Sequence, residues 1–147
     1  MAIYDVTKPI RIVVGGETLE MDIESEFKVD EASINDILKS LPNKLAHLGY
    51  FNAKALSEVK ELKNEKDRVY GELYLETRNT LSNNGQKYTE SLLEQMVITN
   101  DDYVALQRKL LDAERQSEVL KGLFQSARDQ VSIIIDLSAN VRLLMKT

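Results

Sequence analysis

Few residues in this chain are of a type that catalyses reactions or binds metal ions. The sequence has one histidine, His47, and no cysteine. A zinc site needs several His or Cys ligands, so His47 alone cannot anchor one. Its neighbours in KLAHLGYF are largely apolar, which is typical of a packed helical side chain. We therefore assign His47 no catalytic role and predict no metal site.

Carboxylate pairs are the other arrangement that could perform acid–base chemistry. Glu61 with Glu65, and Glu72 with Glu76, share a helical face because they are four residues apart. General acid–base catalysis needs one carboxylate of a pair to be desolvated, whereas these pairs stand on charge-rich faces. The glycine-rich phosphate-binding patterns and the HExxH and GxSxG motifs are absent. We expect a protein that is not an enzyme and that needs no cofactor.

A row of basic and aromatic residues suggests binding rather than catalysis. At helical spacing, five such residues span an arc of roughly 120°: Lys63, Lys66, Tyr70, Tyr74 and Arg78. Cations that hold phosphates and rings that stack on bases are what sequence-tolerant binding of single strands requires. In the alternative interpretation the tyrosines flank a packed seam with their hydroxyls in water, while Glu72 and Glu76 pair with Arg68 and other neighbours.

The N-terminal region predicts a β-hairpin. In IRIVVGGETLEMDI, apolar and polar residues alternate on both sides of Gly15-Gly16, which suits a turn with positive φ. Ile10, Ile12 and Val14 fall on one face of the first strand, and Leu19, Met21 and Ile23 fall on one face of the second. Two strands cannot bury a face alone, so we expect the hairpin to pair with the preceding AIYDV segment, to pack on helices or to contact another chain.

Helical signals follow from residue 30 onwards. Asp30 or Ser33 can cap a first helix that ends at Leu41, Pro42 can open a short second one, and Gly49 can end it. A long helix is predicted from about residue 52 to 81, where SNNG breaks the pattern.

Two further helices are predicted after that break. Ser91-x-x-Glu94 has the form of a capping box for a short helix near 91–98, and Thr99-x-x-Asp102 resembles one at the start of the longest helix. Gly122 lies within this last helix, and we expect a bend or a close contact there. The predicted domains are an acidic hairpin segment, 1–29, and a helical domain, 30–147.

The last helix carries an apolar seam of the coiled-coil type. Alternating steps of three and four residues connect Tyr103 to Met145, with two serines as the only polar members. Further leucines and isoleucines flank the seam, which favours a bundle, and a helix of roughly 60 Å most easily covers this face by packing on copies of itself. The predicted oligomer interface comprises Leu110, Ala113, Ser117, Leu120, Phe124, Ala127, Val131 and Ile134.

The predicted fold class is thus mainly α. It consists of a long antiparallel helical hairpin, resembling a coiled-coil bundle, with a small N-terminal β-hairpin, and it assembles as a homo-oligomer. No apolar run reaches the roughly 18 residues of a membrane span and no secretory leader is evident, so we expect a cytoplasmic protein without membrane contact.

Charge is distributed unevenly along the chain. Residues 1–36 carry three basic and nine acidic side chains, and residues 37–147 carry sixteen and fifteen, which together give the net charge of −5. The overall acidity argues against a nucleic-acid binder. Because the acidity belongs to the N-terminal segment, this argument is weaker for the helical region.

The helical region also resembles phage recombination mediators of the UvsY type, over about residues 44–142. The resemblance is carried by YGELYLETRN, by K-x-T-E (Lys87 to Glu90) and by NDDYVALQRKLLDAERQSEVLKGLFQSARDQ, of which LLDAE (Leu110 to Glu114) and LKG (Leu120 to Gly122) are most distinctive. The family's basic helix corresponds to Lys60 to Arg78, which adds Lys60 to the candidate DNA-binding residues.

This resemblance implies a non-enzymatic accessory factor. Such mediators form ring-shaped homo-oligomers, bind single-stranded DNA and help a RecA-like recombinase to displace the single-strand-binding protein. In a ring, several weak cationic contacts act together by avidity, although each subunit is acidic. The alternative left open by the residues is a structural or scaffolding protein of a phage particle that assembles through the coiled-coil face.

Overall fold

A computed structural model describes residues 9–30, 32 and 34–146, excluding the side chains of residues 141, 142, 145 and 146. In chain order its strands and helices are β1 (Ile10–Val14), β2 (Glu17–Met21), α1 (Ile23–Glu26), α2 (Ile34–Asn83), α3 (Glu90–Ile98) and α4 (Asp101–Lys146). The fold is mainly helical with a small antiparallel hairpin, which confirms the predicted class. None of the helices, over the residues described, is long and apolar enough to cross a membrane.

The β-hairpin forms where the alternation predicts it. Strands β1 and β2 pair antiparallel with Ile10 opposite Met21 and Ile12 opposite Leu19. The turn residues Gly15 and Gly16 have φ values of +54° and +80°, a region that side chains with a Cβ seldom adopt. The AIYDV segment, which we expected to pair with the hairpin, lies outside the described residues.

The second strand is shorter than predicted. It ends at Met21, and Ile23 begins the single turn of α1 instead of continuing the strand face. Asp22, in extended conformation, is the N-cap residue, and Glu24 and Glu26 lie in the first turn, where negative charge is favoured by the helix dipole. Ile23 nevertheless packs against the same core as the hairpin.

The chain forms two compact units, and both long helices contribute residues to each. The first unit contains residues 1–55 and 116–147. Its core brings the apolar face of the hairpin together with residues from α2 and α4, whose most buried members are Ile12, Val14, Leu48, Leu120 and Ala127. Lys44 contacts Gln130 and Gly49 lies beside Phe124, so α2 and α4 run antiparallel here.

This division differs from the boundary at 29/30 expected from the sequence. The hairpin does not form a separate core, because two strands bury too little apolar surface to be stable alone. Its inward-facing side chains share one cluster with Leu48, Phe51 and Leu123 of the long helices.

Helix α2 is continuous where three separate helices were predicted. Pro42 lies inside it, and Gly49 does not end it. Leu41 and Leu48, on either side of the proline, are 4% and 0% exposed, so burial holds both halves of the helix in line. Pro42 faces solvent, and Leu38, whose carbonyl loses its bonding partner, is 45% exposed, so water can satisfy that carbonyl.

The second unit contains residues 56–115. Helix α2 ends at Asn83, as SNNG predicts, and Gly85 adopts a φ of +67° just after it. Helix α3 is capped by Thr89, which accepts a hydrogen bond from the Leu92 amide at 3.2 Å, and not by Ser91. Leu93 and Val97 are its fully buried residues.

The cap and the glycine of α4 also differ from expectation. The side chain of Asn100 accepts hydrogen bonds from the amides of Asp102 and Tyr103, whereas Thr99 belongs to the end of α3. Apart from its two chain neighbours and the backbone of its own helical turns, no described part of the chain lies within 4 Å of the position a Cβ would take at Gly122. The close contact expected there is therefore absent within the described chain.

Candidate nucleic-acid interface

The middle turns of α2 present the predicted basic and aromatic residues. The stretch 60–78 contains no proline and is rich in Leu, Glu, Lys and Arg, which favour helix. All candidate DNA-binding residues lie on this one helix. Lys60, Lys63 and Arg78 are exposed, and Lys66, Tyr70 and Tyr74 are half-buried.

The two tyrosines form one aromatic group with a residue of α4. The rings of Tyr70 and Tyr74 are stacked with centroids 6.3 Å apart and planes 23° apart. The ring of Tyr70 also meets Tyr103 edge-on at 5.9 Å, and Tyr103 is 6% exposed. The rings thus pack on one another, and Tyr70 and Tyr74 as whole residues are half-buried.

The hydroxyl of Tyr74 is engaged within the chain. It donates a hydrogen bond to Oε2 of Glu90, the first residue of α3. This bond raises the pKa of the Tyr74 phenol above its ordinary value of 10.0, and the positive charge of Arg78 acts in the opposite direction. The expectation that both tyrosine hydroxyls face only water is therefore wrong for Tyr74.

The charges on this part of α2 are partly paired. Nη1 of Arg68 lies 2.8 Å from Oε1 of Glu72, the pairing proposed in the alternative interpretation. By contrast, Lys60, Lys63, Lys66 and Arg78 form no ion pair within residues 9–30, 32 and 34–146. These four cations can thus meet phosphates without first breaking a salt bridge.

The glutamates and the histidine considered for catalysis are exposed to solvent. Glu61, Glu65, Glu72 and Glu76 are all exposed, so the desolvation that acid–base catalysis requires is missing. His47 is exposed, with its ring 5.0 Å from that of Phe51. Among the described residues no group of three His, Asp or Glu side chains could hold a metal ion.

The predicted oligomer interface is largely covered by the chain itself. Of its eight residues, two are half-buried, Phe124 and Val131, and the others are buried without a second chain. The buried members are Leu110, Ala113, Ser117, Leu120, Ala127 and Ile134. In the first unit the seam residues Leu120 and Ala127 belong to a core that the hairpin and α2 complete within the chain. The use of the seam between copies stays a prediction.

Sequence reasoning did not identify the role of Glu90. The residue stood in the K-x-T-E motif, but the cap was assigned two residues later, at Ser91. Thr89 followed by an acidic residue is itself a sign of a helix start, because Thr is a favoured N-cap and Glu is favoured in the first turn. The contact with Tyr74 joins residues 16 positions apart and has no local signal.

The motifs that carry the resemblance lie on α2, at the start of α3 and on α4. Lys87 and Glu90 flank the cap of α3, and the stretches 110–114 and 120–122 belong to α4. In comparisons with known proteins, no protein-family model, no curated protein and no solved structure matches this chain.

Proposed function

We propose that the protein is a non-enzymatic recombination mediator, which binds single-stranded DNA and assists the loading of a RecA-like recombinase in place of single-strand-binding protein. The observation that carries this proposal is the row of unpaired cations beside stacked tyrosines on α2. Lys60, Lys63 and Arg78 are exposed, and the stacked Tyr70 and Tyr74, which lie between Lys63 and Arg78 along α2, are half-buried. The resemblance to phage mediators of the UvsY type supports the same function.

The arrangement suits a strand without regard to its sequence. Cations contact the phosphates, which every nucleotide carries, and aromatic rings stack on any base. The row is short, and the neighbouring Glu72 and Glu76 are negative, so each subunit contributes weak binding. Strong binding then requires several subunits on one strand.

Exposed apolar residues support the proposed homo-oligomer. Three apolar residues in the C-terminal part of α4 are exposed to solvent. Ile133 is 48% exposed, Ile135 is 61% exposed and Leu143 is 64% exposed. Apolar side chains on several sides of one helix end are typical of a surface that another chain covers. The same observation favours the second candidate, a phage structural or scaffolding protein, which would assemble without nucleic acid.

Charge reversal on α2 separates these two functions. The double variant Lys63→Glu/Arg78→Glu should bind a fluorescein-labelled oligo-dT at least 10-fold more weakly at low salt, because each reversal replaces a phosphate contact by repulsion. The slope of log K against log salt should also become less negative by about 1.4, because two phosphate contacts are lost. Fluorescence anisotropy measures both quantities.

The matched control places the same charge change on α4. Lys109 and Lys121 are exposed there, and Lys109→Glu/Lys121→Glu should keep most of the affinity. Recombinase loading onto a strand coated with single-strand-binding protein should be stimulated by wild type and by the control, and not by the α2 variant. Equal binding by all three proteins, or no binding by any of them, would rule out the mediator proposal. Unchanged assembly without any DNA binding would favour the scaffold.

A further inference from the structure

Glu90 holds a negative charge at one end of the cationic row. Its carboxylate accepts a hydrogen bond from the Tyr74 hydroxyl, and the charge of Arg78, four residues further along α2, acts on the same phenol. Glu90 and Arg78 are therefore both near the place where a phosphate would lie beside Tyr74. Within the described residues no lysine or arginine forms an ion pair with Glu90.

The backbone fixes Glu90 in this place. It follows Thr89, whose side chain caps α3, and α3 is anchored by the fully buried Leu93 and Val97. The link from α2 is fixed by the turn at Gly85, whose amide donates to the carbonyl of Ser82 at 3.1 Å. The hydroxyls of Ser82 and Tyr88 also lie 3.2 Å apart. The backbone of Glu90 is thus held by the fold at a place from which its carboxylate reaches the Tyr74 hydroxyl.

A carboxylate in this position acts against an incoming strand in two ways. It occupies the hydroxyl of Tyr74, which could otherwise donate to a phosphate oxygen. It also repels a phosphate a few ångströms away, which in a water-like medium weakens binding roughly five-fold. Both effects are local and depend on charge.

We propose that the carboxylate of Glu90 competes with a phosphate of single-stranded DNA for the hydroxyl of Tyr74. A bound strand displaces this carboxylate from Tyr74. This inference rests on the proposed DNA-binding function. Its consequence is that the chain holds a strand less tightly than the cations and rings on α2 would allow. Weak holding suits a protein that must pass its strand to a recombinase.

The test compares Glu90→Gln with Glu94→Gln in the full-length protein. Both changes remove one negative charge from an exposed position on α3, one turn apart, and only the first removes charge beside Tyr74. With labelled oligo-dT at low salt, Glu90→Gln should bind roughly five-fold more tightly than wild type, and Glu94→Gln less than two-fold more tightly. The difference should shrink at high salt, because exposed charges are screened.

A second measurement checks the contact itself. The absorbance of the tyrosines is followed as the pH is raised. In Glu90→Gln one phenol should ionise at lower pH than in wild type, because the charged acceptor that holds its proton is gone. Glu90→Ala, which removes both charge and acceptor, serves as a second variant and should also bind the strand more tightly than wild type.

The outcomes separate this inference from the function on which it rests. If wild type binds the strand and Glu90→Gln binds no better than Glu94→Gln, the competitor role is overturned and the DNA-binding function stands. If only the Glu90 variants bind, a strand does not displace the carboxylate in the wild-type protein, and both the displacement and the DNA-binding function of the natural chain are overturned. If no variant binds at any salt concentration, both the function and the inference are overturned.

Discussion

Leu120 illustrates how the seam of α4 stabilises the fold at the scale of one residue. It is a seam position in the 3–4 pattern, it is 0% exposed, and it packs in the core shared by the hairpin and both long helices. The pattern therefore predicted correctly that this side chain would be covered. It could not indicate the covering partner, because heptad spacing is the same for contacts within a chain and between chains.

Truncating Leu120 should be costly. We expect Leu120→Ala to lower the free energy of unfolding by about 2–5 kcal/mol, through lost burial and the cavity left behind. The matched control is Leu111→Ala on the same helix, where the side chain is 49% exposed and the change should stay within about 0.5 kcal/mol. Urea denaturation followed by circular dichroism measures both, and equal effects would contradict the burial assigned to Leu120.

Gln130 shows what the pattern could not predict. The seam passes through Val131, yet Val131 is half-buried and its neighbour Gln130 is 2% exposed. The amide of Gln130 is buried because it is satisfied: its oxygen accepts from Nζ of Lys44 at 3.2 Å, and its nitrogen donates to the carbonyl of Glu26 at 3.3 Å. A polar group can be buried at such a site only with partners, and these partners come from distant parts of the sequence.

Glu17 should make stability depend on pH. The hydrogen bond from Lys54, whose Nζ lies 2.9 Å away, and then that from Tyr50 hold the pKa of this carboxyl below its ordinary value of 4.5. A lowered pKa in the fold contributes stability above the unfolded-state pKa, and that stability is lost as the pH falls through the folded-state pKa.

The variant Glu17→Gln should therefore melt at a lower temperature than wild type at neutral pH, and the difference should narrow as the pH falls below about 4.5. Glu20→Gln is the control on the same strand, since Glu20 meets Arg11 only at 3.9 Å with both side chains 69% exposed. Thermal melts across this pH range provide the test. A difference between Glu17→Gln and wild type that stays constant with pH would contradict the assigned ion pair.

At the scale of elements, local signals located turns better than they located helix boundaries. Gly15-Gly16 and the SNNG stretch both predicted real turns, because positive φ is a local requirement that glycine meets. Pro42 and Gly49 predicted boundaries that do not exist. Their local cost is overridden by the burial of Leu41 and Leu48, which no local pattern measures.

Replacing Pro42 should stabilise α2. A proline inside a helix costs up to about 3 kcal/mol, through the missing amide bond and the clash with the preceding turn, and the greater freedom of the unfolded variant offsets part of the gain. We expect Pro42→Ala to raise the free energy of unfolding by about 1–2 kcal/mol, measured by chemical denaturation. Asn43→Ala, at the next exposed position, should gain no more than about 0.7 kcal/mol. A loss of stability in Pro42→Ala would mean that the core needs the helix to bend there.

At the scale of the whole molecule, the candidate site was only partly predictable. The cations and tyrosines were found because i, i+3 and i+4 spacing places them on one face of a helix, which is a local property. Tyr103 and Glu90, which contact these tyrosines, come from α4 and α3, and their positions depend on how the second unit folds. The acidic N-terminal segment was predicted as a separate domain, yet its hairpin packs into the core of the first unit.

Assembly and strand binding are the central claims for the whole molecule, and one measurement reports both. The mass of the protein in solution is determined by light scattering at low and high salt, with and without an oligo-dT. We predict a mass of several subunits that increases by that of the strand at low salt, and a strand that leaves at high salt while the subunits stay together. A mass of one subunit that gains no strand even at low salt would contradict the account.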